Sequence, residues 1–96
     1  MAEGKPQEAL ARLQEAVRIS ALAMGERHPR RGQLLKNLAI VAEQLGLLQK
    51  AEAHYQEALM VLQEAWGADD PRSQECRLTL EAFLAAQRPD SDAASP

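Results

Sequence analysis

The stretch HPRRGQLLKNLAIVAEQLGLLQKAEAHYQEALMVLQEAWG, His28 to Gly67, decides the fold. Apolar residues recur in it at steps of three and four: Leu34, Leu35, Leu38, Val41, Ala42 and Leu45, then Ala51, Tyr55, Ala58, Leu59, Leu62 and Trp66. That period is helical, and no two-residue alternation competes with it. Between the two runs stand only Gly46 and Leu47, a link short enough to force the helices antiparallel. The spacing therefore predicts a hairpin of helices over 29–45 and 48–66.

Outward from this hairpin the chain repeats itself at an offset of 42 residues. Gly25 recurs as Gly67, Pro29 as Pro71, Arg30 as Arg72 and Leu38 as Leu80, and the block Gln14, Glu15, Ala16 returns as Gln56, Glu57, Ala58. Glycine, proline and small residues hold the register while surface positions drift, which is the pattern of a stacked repeat. Units of this kind cannot bury their apolar faces alone and pile into an array whose exposed grooves bind other proteins. The flanks supply two more helices. One spans 6–24, opened by Pro6 and stopped by Gly25; the other spans 71–87, with Asp70 as cap and Pro71 in the first turn. The tail, 88–96, is Asp, Ser, Ala and Pro after Arg88, a composition expected to stay disordered.

The fold class expected is all-α: four helices in antiparallel hairpins, stacked as an open superhelix. With 96 residues and a net charge of −3, the chain has no broad positive field, so nucleic acid is not expected as ligand. No run of apolar residues is long enough for a membrane span. Cys76 is the single cysteine; it cannot form an internal disulfide, and a reducing, cytoplasmic setting is the expectation. Nothing resembles a glycine-rich phosphate loop, a metal cluster or a nucleophile with its base, so neither an enzyme nor a cofactor is expected. His28 reads as a turn residue and His54 as a solvated one. Cys76 falls on the apolar stripe with Leu80 and Phe83. Arg27, Arg30 and Arg31 cluster at one turn as local ion-pair partners, and Met24 and Trp66 read as core closers.

The order His28-Pro29, then Leu35, Asn37, Leu38, Ala39, then Gly46, then Ala51-Glu52, Tyr55, Ala58-Leu59 and Trp66-Gly67 resembles the tetratricopeptide repeat, in the 42-residue form seen in kinesin light chains. In that phase the chain holds one complete repeat, flanked by the second helix of one unit and the first helix of another. Glu81 stands where the complete repeat has Ala39, a substitution suited to a terminal, solvent-facing helix.

The resemblance implies that the first helix of each pair lines a concave inner surface. The polar face of the second segment then becomes the candidate peptide site: Gln33, Lys36, Asn37, Ile40, Glu43 and Gln44. Asn37 matches the asparagine that hydrogen-bonds the backbone of an extended peptide in related repeats, since an amide both donates and accepts. Lys36 would pair an acidic ligand residue, as the family's preference for acidic motifs implies. In the last helix Leu78 and Thr79 replace the Lys36–Asn37 pair. The function expected is an adaptor or scaffold that binds a partner peptide or helix on this concave face, with an acidic residue of the partner meeting Lys36. The alternative is a structural segment that self-associates, as a homodimer through uncovered end helices, or docks within a larger assembly, with Leu10, Leu22 or Leu84 exposed to do so.

Overall fold

Proline and glycine set where each helix begins and ends. The computed structural model describes residues 5–87, which form α1 (Pro6–Met24), α2 (Pro29–Gln44), α3 (Leu48–Trp66) and α4 (Pro71–Gln87), with no strand among the described residues. The tail expected over 88–96 lies outside them. Pro6, Pro29 and Pro71 each occupy the first helical position, where a missing N–H costs no hydrogen bond. Gly25 and Gly67 leave α1 and α3 with the same positive φ of 93°, a conformation that a side chain disfavours. Their amides close the helices by donating to Ala21 O at 3.0 Å and Gln63 O at 2.8 Å.

α2 stops at Gln44, one residue short of the expected Leu45. Leu45 serves as C-cap, and the amides of Leu45, Gly46 and Leu47 turn back onto Val41, Ala42 and Glu43 carbonyls. This satisfies carbonyls at the helix end that would otherwise lack a partner.

Each helix packs chiefly on its neighbours in sequence, α1 on α2, α2 on α3 and α3 on α4, and α1 does not pack extensively on α4. The result is an open stack with principal extents of 51 × 40 × 20 Å, not a closed four-helix bundle. Two core clusters run through it. One joins Leu35 and Leu38 of α2, Ala58, Val61 and Leu62 of α3 and Cys76 of α4. The other joins Ala39 and Ala42 of α2, Ala51 and Tyr55 of α3 and Leu80 and Phe83 of α4. Ala39, Ala42, Ala51 and Ala58 are fully buried, so they set how closely the backbones approach.

The closest approach is at Gly32. A Cβ placed there would lie 2.7 Å from Leu62 Cδ2, 2.9 Å from Leu62 Cγ and 3.2 Å from Val61 Cγ1. Across the other seam, Ser73 is fully buried and its hydroxyl donates to Leu62 O at 3.2 Å. Leu62 is thus the point where α2, α3 and α4 meet.

Several sequence expectations need correction. Met24 is 43% exposed because nothing among the described residues covers it at the end of α1, whereas its counterpart Trp66 is half-buried against the core. Of the three leucines expected at the surface, Leu22 is exposed, while Leu10 and Leu84 are half-buried against the core clusters. Glu81 faces solvent and pairs with Arg77 at 3.2 Å on its own helix.

Candidate functional site

α2 and α4 occupy equivalent places in the repeat and lie on the same side of the stack. Between them, floored by Leu62 and the Trp66 end of α3, is a cavity of about 320 Å³. α2 contributes Arg30, Gln33, Leu34, Lys36 and Asn37, and α4 contributes Arg72 and Glu75. The wall is polar at the rim and apolar at the floor, the arrangement that lets a groove combine affinity with orientation.

Helical spacing explains the set. Gln33, Lys36, Asn37 and Arg30 rise from one face of α2, while the opposite face, Gly32, Leu35, Ala39 and Ala42, is sealed against α3. Gln33 and Asn37 are exposed and Lys36 is half-buried. Arg30, Lys36 and Arg72 line the cavity with Glu75; Lys36 is paired with Glu75 and Arg72 with Asp70. Lys36 Nζ lies 3.7 Å from Glu75 Oε1, bridging α2 to α4 across the groove.

Arg72 is the most constrained of the cations. Its guanidinium carbon sits 3.5 Å from the Trp66 ring centroid, and its Nε and Nη2 each donate to Asp70 at 3.0 Å. A guanidinium stacked on an indole and gripped by a carboxylate has little freedom left. The bond from Arg72 also holds the Asp70 carboxyl below the usual carboxylate range.

The structure divides the six residues that the sequence singled out. Gln33, Lys36 and Asn37 line the groove. Ile40, Glu43 and Gln44 do not. Ile40 is half-buried against the cluster of Ala39, Tyr55 and Phe83. Glu43 is turned toward α3, where its Oε1 accepts from the Tyr55 hydroxyl at 2.9 Å. Gln44 borders a separate shallow depression with Lys5, Pro6 and Ala9. Ile40 and Glu43 are taken up by packing with α3 and α4 and Gln44 lies beside the start of α1, so a face that is continuous on a helical wheel is interrupted in the stack.

Arg30, Trp66, Arg72 and Glu75 complete the groove, and the sequence reading had not assigned them to it. Their signal was the 42-residue offset itself, which pairs Arg30 with Arg72 and Gln33 with Glu75. The arginine cluster also divides. Arg31 donates to Glu57 of α3 at 2.6 Å, Arg27 lies 3.7 Å from Glu64, and Arg30 alone turns to the groove.

His28, His54, Tyr55 and Cys76 do not line the groove. His28 is more than a turn residue: its Nδ1 accepts from Arg30 N at 3.1 Å and caps α2. His54, expected in solvent, is half-buried, and that burial depresses its pKa below the usual imidazole value. Burial raises the Cys76 thiol, opposed in part by Lys36, so the thiolate a nucleophile needs is disfavoured. Tyr55 is pushed up by burial and by its bond to Glu43. Among the described residues no group of three His, Cys, Asp or Glu side chains is arranged to hold a metal ion, and no helix is long and apolar enough to cross a membrane.

A family model described as tetratricopeptide repeat matches residues 1–64. No curated protein matches the chain.

Proposed function

Because this chain belongs to the tetratricopeptide repeat family, whose repeats generally mediate protein–protein interaction without catalysis, we propose that it is an adaptor whose groove between α2 and α4 takes an extended, acidic segment of a partner protein. The observation that carries this is the open polar face of α2 around Asn37, exposed over a half-apolar floor while the rest of the helix is sealed. Asn37 supplies the donor and acceptor that a peptide backbone requires. Arg30, and Lys36 where it exchanges Glu75 for a carboxylate of the partner, supply charge of the sign an acidic segment would meet.

The 42-residue offset and the His28-Pro29 opening favour the kinesin light chain-like form of the repeat. A lone, buried Cys76 suits a reducing compartment such as the cytoplasm.

The test is an affinity pulldown with the wild type, Asn37→Ala, Lys36→Glu and, as a control on another surface, Met60→Ala. The groove reading expects bound partners to be lost from the first two variants and kept by the control. Asn37→Ala should weaken binding by about 1–3 kcal/mol, because a partner amide is left unpaired. Retention of every partner by both groove variants would contradict the proposal.

A further inference from the structure

The two walls of the groove present opposite charge. The α2 wall contributes the cations Arg30 and Lys36 and no carboxylate, and the α4 wall contributes Arg72 and Glu75. Arg72 is already spoken for: its Nε and Nη2 each donate to Asp70 at 3.0 Å, and its guanidinium lies over the Trp66 ring. With that pair internally neutral, what α4 offers an incoming group is the carboxylate of Glu75. The repeat does not impose this difference. At the 42-residue offset Glu75 stands where α2 has the uncharged Gln33, and Leu78 stands where α2 has Lys36.

Lys36 and Glu75 meet across the gap, Nζ to Oε1 at 3.7 Å. That distance is too long for a direct hydrogen bond, and the Glu75 side chain is 70% exposed, so the bridge is weak. An entering segment can part it. Parting it leaves two groups to satisfy. The Lys36 side chain is only 23% exposed, which makes an unpaired ammonium there costly, and Glu75 faces whatever lies beside the new partner of Lys36. A run of acidic residues would satisfy Lys36 but set its next carboxylate against Glu75, and like charges brought together oppose binding. One acid beside one base satisfies both walls.

We infer that the groove selects an extended segment in which an acidic and a basic residue are neighbours in sequence, the acid turned to Lys36 on α2 and the base to Glu75 on α4. Neighbours are required because successive side chains of an extended chain point to opposite sides. A strand lying along the groove therefore shows one residue to α2 and the next to α4. Asn37, adjacent to Lys36 on the α2 wall, meets the backbone between them. The inference rests on the groove reading proposed above and narrows it: the acid that meets Lys36 is half of a pair, and Glu75 is the residue that determines specificity.

A display library of random peptides selected on the full chain tests it. Recovered sequences are expected to share an acid next to a base. They are then resynthesised with that base kept or replaced by Glu, and titrated by fluorescence anisotropy. The wild type should bind the acid–base form about threefold more tightly than the acid–acid form, the size of one exposed ion pair. Glu75→Gln should remove the preference and Glu75→Lys should reverse it, a reversal that loss of a merely structural bridge would not produce. Glu75 is exposed, so both variants are expected to keep the helical circular dichroism of the wild type. Peptides that lose binding to Asn37→Ala, yet lack the acid–base pair or keep one order of preference in wild type and Glu75→Lys alike, would overturn this inference and leave the groove reading standing. A library without binders, or binders indifferent to both Asn37→Ala and Lys36→Glu, would overturn the groove reading and this inference with it.

Discussion

Gly32 and Leu62 touch so closely that α2 has no room for a β-carbon at this point: the nearest side-chain atom would be 2.7 Å away. Helix propensity alone ranks alanine about 1 kcal/mol better than glycine in a helix interior. Here crowding wins, because Leu62 is buried against both α2 and α4 and Val61 closes the other side. Gly32→Ala is expected to destabilise the chain by about 1 kcal/mol net, the overpacking cost of about 1–3 kcal/mol exceeding the propensity gain. Urea denaturation gives the answer through the midpoint, and a midpoint that rises would show that the two helices can part without loss.

Tyr55 and Glu43 join α3 to α2 by a hydrogen bond of 2.9 Å, and Tyr55 is buried beside Phe83 at a ring-centroid distance of 5.3 Å. Removing the hydroxyl in Tyr55→Phe should cost about 0.5–1.5 kcal/mol of stability and leave partner binding intact. The same separation is expected of Glu43→Gln, since Glu43 belongs to the packing and not to the groove. A pulldown beside a thermal melt distinguishes the two roles, and loss of partners with an unchanged melt would return Glu43 to the site.

How far the sequence could be read is shown by these residues. The 42-residue offset and the helical period locate all four helices, because breakers at Pro6, Gly25, Pro29, Gly46, Gly67 and Pro71 act locally. Gln33, Lys36 and Asn37 were equally legible, since their position on α2 follows from helical spacing. The bond from Tyr55 to Glu43 was not, because it depends on how α2 and α3 cross. Gly32 carried a signal that was passed over: a glycine inside a helical run with Gln74, not glycine, one repeat later.

His54 makes stability sensitive to mild acid. Burial lowers its folded-state pKa, so the unfolded chain binds the proton more readily. Stability from this residue is complete above the ordinary imidazole value of about 6.5 and falls as the pH drops through and below it. His54→Gln should flatten the dependence of the urea midpoint on pH between neutral and mildly acidic buffer. An unchanged slope would assign the sensitivity elsewhere.

Asp70 acts at lower pH with the same sign. It caps α4 by accepting from Arg72 N at 2.8 Å, and the Arg72 side chain depresses its pKa. Its stabilisation is present above the ordinary aspartate value of about 3.9 and disappears as the pH falls through the lower folded-state value. Asp70→Ala is therefore expected to lower the melting temperature at neutral pH and to match the wild type in strong acid. A gap that persists in strong acid would show that the charge is not what stabilises the cap.

Whether the wall formed by α2 and α4 grips the partner is decided by an amide-resolved NMR titration. A partner segment recovered by pulldown is added to the labelled, assigned chain. The expected result is shifts concentrated at Gln33, Lys36, Asn37, Arg72 and Glu75, with Met60, outside the groove, unmoved. Shifts centred on α1 or on the Met60 side of α3, with the groove silent, would contradict it.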